Sequence, residues 1–177
     1  TFENDGGVYT QLSNAENPFD GIDVGTRATP SFVDLDGDGD LDLVSGAFPG
    51  KIWEYENNGG AFTQIPGAQN PFRSIDVGTQ SAPRFTDFDG DGDLDLVVGE
   101  HNGTLLTYEN DGGVYAELSG AANPFDGIDA GFFSMPNFVD LDGDGDFDLL
   151  SGGFSGNFSA YLNEGPAGQT VTVSITA

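Results

Sequence analysis

The phrase Asp34-Leu35-Asp36-Gly37-Asp38-Gly39-Asp40-Leu41-Asp42 places five carboxylates at alternate positions of one short segment. Calcium takes about six to eight oxygens at roughly 2.3–2.6 Å, and short aspartate side chains on a tight loop can converge on it. Asp34, Asp36 and Asp38 stand at positions one, three and five of such a loop. Gly39 at position six permits the sharp turn, the carbonyl of Asp40 at position seven can coordinate, and Asp42 at position nine closes the site. A helical EF-hand is excluded, because position twelve is Ser45 where that motif needs glutamate. Tandem nonapeptide calcium helices are excluded as well, since the phrase occurs once per 53 residues. What remains is a calcium loop at a β-hairpin. Such clustered carboxylates repel one another without a divalent ion, so the metal is expected to be part of the fold.

The elements that carry this loop repeat with it. The phrase returns from Asp87 to Asp95 and from Asp140 to Asp148, 53 residues on each time. Asn17-Pro18-Phe19 returns as Asn70-Pro71-Phe72 and Asn123-Pro124-Phe125, and Phe2-Glu3-Asn4 returns as Tyr55-Glu56-Asn57 and Tyr108-Glu109-Asn110. Ile22-Asp23-Val24-Gly25 also returns, beginning at Ile75 and Ile128. In the last unit, Tyr161-Leu162-Asn163-Glu164-Gly165 is followed by a different tail. Ser31-Phe32-Val33 enters the acidic loop and Leu41-Asp42-Leu43-Val44 leaves it, both short and rich in β-branched or aromatic residues. Turns at 46–50 and at Asn58-Gly59-Gly60 bound two further strands, Lys51 to Tyr55 and Ala61 to Ile65. The reading is all-β, with four antiparallel strands per unit and a connection from Pro66 to Pro83 leading to the next unit. A four-stranded sheet repeating every ~40–50 residues is the signature of a propeller blade. No segment has helical periodicity.

Composition narrows the partners. Thirty acidic residues against four basic ones (Arg27, Lys51, Arg73, Arg84) give a formal charge of −26, which argues against nucleic acid and anionic membranes. The alternative to metal ligation is a merely soluble acidic surface, disfavoured by the regularity of the clusters. Cysteine is absent, which removes disulfides and thiolate metal chemistry. No apolar run approaches the ~20 residues of a membrane-spanning helix.

The run Phe-Val-Asp-Leu-Asp-Gly-Asp-Gly-Asp-Leu-Asp-Leu-Val at 32–44, followed by Ser-Gly, resembles the FG-GAP or VCBS repeats. That resemblance implies blades of an integrin-α-like propeller, with calcium in the loop between the first two strands of each blade. It also implies the ligand sets Asp34, Asp36, Asp38, Asp40 and Asp42, then Asp87, Asp89, Asp91, Asp93 and Asp95, then Asp140, Asp142, Asp144, Asp146 and Asp148. Three calcium ions, one per repeat, are expected. Residues 1–29 are read as the outer strand of an incomplete blade plus its connection, 30–82 as the first blade, 83–135 as the second and 136–177 as the third. In the third, the alternating tail Gln169 to Ala177 is expected to replace the repeat's fourth strand. The chain opens in mid-blade, and three blades are too few for the four to eight of a usual propeller. A homo-oligomer, a neighbouring repeat of a longer chain, or strand donation is therefore expected.

Catalysis has few candidates, and the expectation is no enzyme. The single histidine, His101, reads as a solvated turn residue, and the paired carboxylates belong to repeated loops instead of one catalytic pair. Trp53, the sole tryptophan, reads as core ahead of a sugar platform, and Phe19, Phe72 and Phe125 read as packing between blades. Asn102-Gly103-Thr104 and Asn157-Phe158-Ser159 fit the glycosylation sequon. The function expected is an extracellular or cell-surface structural or adhesion module held together by calcium, with a carbohydrate-binding lectin as the alternative. A glycan or an extracellular protein is the expected ligand class.

Overall fold

The computed structural model describes residues 1–163 and 171–175, and these are built almost entirely from strands. β1 (Phe2–Asp5) and β2 (Val8–Gln11) form a two-stranded hairpin. β3 (Thr26–Val33), β4 (Asp42–Phe48), β5 (Ile52–Asn58) and β6 (Ala61–Gln64) form the first four-stranded antiparallel sheet. β7 (Ser81–Thr86), β8 (Asp95–Glu100), β9 (Leu105–Asp111) and β10 (Val114–Leu118) form the second. The third contains β11 (Met135–Val139), β12 (Asp148–Gly152), β13 (Phe158–Leu162) and β14 (Val171–Ile175). Strand order within each sheet follows the sequence, so every sheet is a meander. The helical content among the described residues is two short 3-10 turns, Asn14–Glu16 and Gly120–Ala122.

Local sequence explains the turns. At Asn58-Gly59-Gly60 both glycines have positive φ (61° and 95°), and the Gly60 N–H donates to Asn57 Oδ1 at 2.7 Å. A side chain at either position would be strained, which makes the turn glycine-dependent. The non-repeat tail takes the place expected for it: β14 pairs antiparallel with β13, Leu162 opposite Val171 and Phe158 opposite Ile175. Residues 164–170, 176 and 177 lie outside the described residues, including Gln169 at the start of that expected strand.

The core lies between sheets. Between the first and second sheets, Val33, Val44 and Ile52 meet Phe72, Ile75, Val77, Leu96, Val98 and Tyr108. Between the second and third, Val97 and Leu105 meet Ala130, Leu149 and Tyr161. Phe72 is fully buried and packs on Phe85 and Tyr115, with ring centroids 5.8 and 4.9 Å apart. Phe125 packs on Phe88 and Phe138 at the next seam. Both therefore hold blades together, as their repetition suggests. Phe19 packs instead on Phe32 and Phe62 and remains half-buried. Trp53 is half-buried too, on the face of the first sheet opposite the one that Ile52 presents to the second.

The seams are close at two glycines. A Cβ built on Gly46 would stand 2.2 Å from the Ser81 carbonyl oxygen, and one on Gly99 would stand 2.3 Å from that of Ser134. Hydrogen bonds cross the first seam beside Gly46: Thr29 Oγ1 donates to the Ser81 carbonyl at 2.6 Å, and the Ala47 N–H donates to Ser81 Oγ at 3.0 Å. Backbone blocks the added methyl at Gly99, so Gly99→Ala is expected to cost about 2–3 kcal/mol by overpacking. Gly152 is the equivalent residue of the third sheet, and its Cβ would meet nothing nearer than 3.6 Å. Gly152→Ala is expected to stay within about 0.5 kcal/mol of the parent. Urea unfolding of the two variants checks the contrast.

Candidate metal centres

Each acidic phrase occupies the turn between the first and second strands of its sheet, β3 to β4, β7 to β8 and β11 to β12. Glycine makes that turn possible. Gly37 and Gly39 have φ of 78° and 96°, and the equivalent pairs Gly90 and Gly92 (82°, 100°) and Gly143 and Gly145 (83°, 100°) repeat the pattern. Residues with side chains rarely adopt this conformation, so the aspartates alternate with glycine where the backbone reverses.

The carboxylates are fixed by backbone donors. Asp34 accepts from the Gly37 N–H at 2.8 Å through one oxygen and from the Gly39 N–H at 3.1 Å through the other. Asp36 accepts from the Asp38 N–H, and Asp38 from the Asp40 N–H. Asp42, at the start of β4, is buried; it accepts from the Leu35 N–H at 3.0 Å and from the Asn57 N–H at 2.8 Å. The second loop repeats the scheme: Asp95 is fully buried and accepts from Phe88 and Asn110, while Asp87 accepts from Gly90 and Gly92. In the third, Asp148 accepts from Leu141 and Asn163, and Asp140 from Gly143 and Gly145.

This geometry gathers three carboxylates per loop. In each of the sets Asp34, Asp36 and Asp42, Asp87, Asp89 and Asp95, and Asp140, Asp142 and Asp148, one oxygen per residue lies within 4.8 Å of the others. The side chains of Asp38, Asp91 and Asp144 stay outside these sets and accept backbone N–H groups two residues on. Asp40 and Asp93 turn their carboxylates to the next hairpin, accepting from the Gly59 and Gly112 N–H groups at 3.1 and 3.2 Å. That leaves the main chain of Asp40 and Asp93 as the part of those residues expected at the loop. Asn57 and Asn110 were not singled out by sequence reasoning. Each gives a backbone N–H to the buried aspartate and a side-chain N–H to the carbonyl of Leu41 or Leu94. Their signal was present in the repeated Tyr-Glu-Asn triplet.

The donor set suits a hard cation. The gathered atoms are all carboxylate oxygens, with no nitrogen or sulfur ligand among them. Burial and neighbouring charge raise the proton affinity of two of these carboxyls, Asp95 and Asp142. Burial pushes the Asp95 carboxyl up against the pull of the Asn110 and Phe88 N–H groups, and the charges of Asp89 and Asp91 push the same way. At Asp142 the Asp144 N–H lowers the proton affinity, but desolvation and the charges of Asp144 and Asp148 leave it raised overall.

One neighbour of the first loop is out of pattern. Glu54 is buried on β5, its Oε2 has no hydrogen-bond partner, and its pKa is pushed up to about 7 by burial, then by Asp42, Glu56 and Asp36. Thr107 stands at the same place in the second sheet and donates to Asn123 Oδ1 at 2.8 Å; Thr1 does the same to Asn17 at 2.7 Å. Because the folded state holds the Glu54 proton more tightly than the unfolded chain, this residue costs stability progressively as pH rises from about 4.5 to about 7. Glu54→Thr is expected to gain about 2 kcal/mol at pH 8 and little at pH 4.5. Thermal melts of both proteins across that range, in calcium-free buffer, check the sign.

His101 departs from the solvated turn expected of it. Its ring packs edge-on against Phe132 and Phe133, with centroids 5.5 and 4.4 Å apart, and its Nδ1 is buried without a hydrogen-bond partner. The Phe133 N–H donates to the His101 carbonyl at 3.0 Å, which draws the two loops together. The Arg27 guanidinium lies 4.7 Å from the Phe133 ring centroid. Phe154 completes the group and is 81% exposed. These residues lie at the ends of the strands opposite the acidic turns. Asn102 and Asn157 of the two sequons are exposed.

Four-stranded meander sheets packed face to face, each with an acidic turn between its first and second strands, define a repeat protein of the β-propeller type. The chain belongs to the FG-GAP-like repeat family, whose profile matches residues 34–98 and again residues 87–151. Among solved structures, an Agrocybe aegerita lectin described for specific recognition of non-reducing terminal N-acetylglucosamine is similar at a TM-score of 0.48 and 22% identity. The similarity covers 81% of this chain and 38% of the lectin, so the chain spans well under half of the lectin's length. No curated protein matches the chain. No helix among the described residues is long and apolar enough to cross a membrane.

Proposed function

We propose that this chain is a calcium-stabilised extracellular structural or adhesion module, without catalytic activity, that self-associates or joins further repeats. The observation that carries this reading is the threefold recurrence of one carboxylate triad, within 4.8 Å each time, at the same turn of three successive sheets. Asp34, Asp36 and Asp42 and their counterparts at 53-residue steps would hold the ion, with the main chain of Asp40, Asp93 and Asp146 beside them. Bound calcium supplies positive charge that offsets carboxylate repulsion. The chain's own contribution is to pre-orient the buried aspartate through two N–H donors. Loops whose charge is satisfied only by calcium suit calcium-rich surroundings, since extracellular modules bind at about 10⁻⁴–10⁻³ M.

Isothermal titration of chelator-treated protein tests the reading. About three equivalents of calcium are expected, and an absence of binding at millimolar calcium would remove its basis.

The exposed rings of Phe132 and Phe154 beside His101 and Arg27 favour carbohydrate binding as a second reading. A glycan array with and without chelator separates the two. Saturable sugar binding supports the lectin; assembly without sugar binding supports the scaffold.

A further inference from the structure

Resting on the calcium reading above, we propose that Glu54 makes the first loop the tightest of the three calcium sites, as a fourth carboxylate facing its triad from the neighbouring strand. The placement comes from the sheet. Glu54 on β5 stands opposite Val44 on β4, and side chains alternate between faces along a strand, so Glu54, Val44 and Asp42 share the face that packs on the second sheet. Asp42 is thus the diagonal neighbour of Glu54, at a separation that a side chain as long as glutamate spans. The charges acting on Glu54 are, in order, those of Asp42, Glu56 and Asp36, and the first and last of these belong to the triad.

The surroundings give Glu54 no other use. It is 8% exposed, and its Oε2 has no hydrogen-bond partner. The second repeat shows why. There Thr107 donates to Asn123 Oδ1 at 2.8 Å, an oxygen that also accepts from the Phe125 N–H. In the first repeat Asn70 Oδ1 likewise accepts from the Phe72 N–H, at 2.7 Å, but an ionised carboxylate only accepts and cannot replace the threonine as donor. The chain gives up that hydrogen bond and buries a charge in a seam lined by Val44, Ile52 and Phe72. Among the described residues the one ion pair joins Lys51 to Asp76, so no side-chain cation answers Glu54. A buried charge without such a partner calls for a metal nearby.

The other two loops carry no charge at this place, where Thr107 and Ala160 stand. Glu56 has Glu109 as its counterpart and does not set the first loop apart from the second. The five aspartates of each loop recur, as do the two N–H donors to its ninth residue, so Glu54 is the charge that distinguishes the first centre. It lies outside the gathered triad and acts through its field instead of by ligation. Calcium affinity rises with the carboxylate charge around a site. A bound ion also offsets the repulsion of Glu54 by Asp42 and Asp36, which the free loop leaves uncompensated.

Calcium titration of the chelator-treated full chain at pH 8, followed by amide NMR, tests this. The Gly39, Gly92 and Gly145 N–H groups each donate to the first aspartate of one loop, so their signals report on the three sites separately. Gly39 is expected to reach half-saturation at a free calcium at least about tenfold below Gly92 and Gly145. Glu54→Gln, close in shape and uncharged, should remove that lead and leave Gly92 and Gly145 where they were. Glu54→Thr, which copies the second repeat, should do the same. A Glu54 that kept its proton beside bound calcium would behave like glutamine, and the parent's first loop would then show no lead. Equal half-saturation of the three loops in the parent, or a lead that survives in both variants, overturns the proposal and leaves the calcium reading standing. A chain in which none of the three signals responds to millimolar calcium loses that reading and the proposal together.

Discussion

Chelation of calcium with EDTA is expected to lower the melting temperature by about 20 °C. With free calcium a hundredfold above its dissociation constant, each site adds about 2.7 kcal/mol, and three independent sites add about 8 kcal/mol. A chain of this length shifts by roughly 2–4 °C per kcal/mol. The size of the effect follows from the structure, because the first-to-second strand turn of each four-stranded sheet is one of these loops and each touches a core strand through Asp42, Asp95 or Asp148. Magnesium at the same concentration should restore less than calcium, since it prefers a strict octahedron at about 2.0–2.1 Å and gives up its waters reluctantly. Circular dichroism melts in calcium, EDTA and magnesium decide the matter. An unchanged midpoint in EDTA would show that backbone donors alone hold the loops.

The repeat made most of this architecture legible in advance. A period of 53 residues, read beside turn signals at Asn58-Gly59-Gly60 and the alternation of Val171, Val173 and Ile175, gives four strands per unit and a replacement strand at the end. The acidic turn was equally legible, because aspartate at alternate positions with glycine between has few structural uses. Which aspartates converge was less so. Asp36 and Asp38 look equivalent in sequence, but loop curvature brings only the first to the buried aspartate. Residues outside the repeat pattern were hardest to place. His101 stands where the other units have Phe48 and Phe154, and the rings that pack on it come from a loop about thirty residues away. Glu54 was equally opaque, because its cost arises from burial beside Asp42, at a place where Thr107 and Thr1 instead pair with Asn123 and Asn17.

Asp95→Ala should separate the two tasks of the loop's ninth residue. In calcium its cost is expected to be about 5 kcal/mol, made of a lost site at about 2.7 kcal/mol and two orphaned N–H groups at about 1 kcal/mol or more each. Those groups belong to Phe88 and Asn110, which donate to Asp95 Oδ2 and Oδ1 at 3.0 and 2.9 Å. In EDTA the metal's share vanishes from both proteins, and the difference should shrink to about 2 kcal/mol. Asp91→Ala offers the contrast, since its side chain accepts one exposed N–H, from Asp93, and lies outside the triad. Its cost should stay near 1 kcal/mol in EDTA. In calcium it tests whether Asp91 also serves as a ligand, because a larger loss there would add its carboxylate to the three already gathered. Urea titrations of three proteins in two buffers resolve all of these differences. An Asp95→Ala penalty that is the same in calcium and EDTA would assign this residue to hydrogen bonding alone and remove the second loop from the set of metal centres.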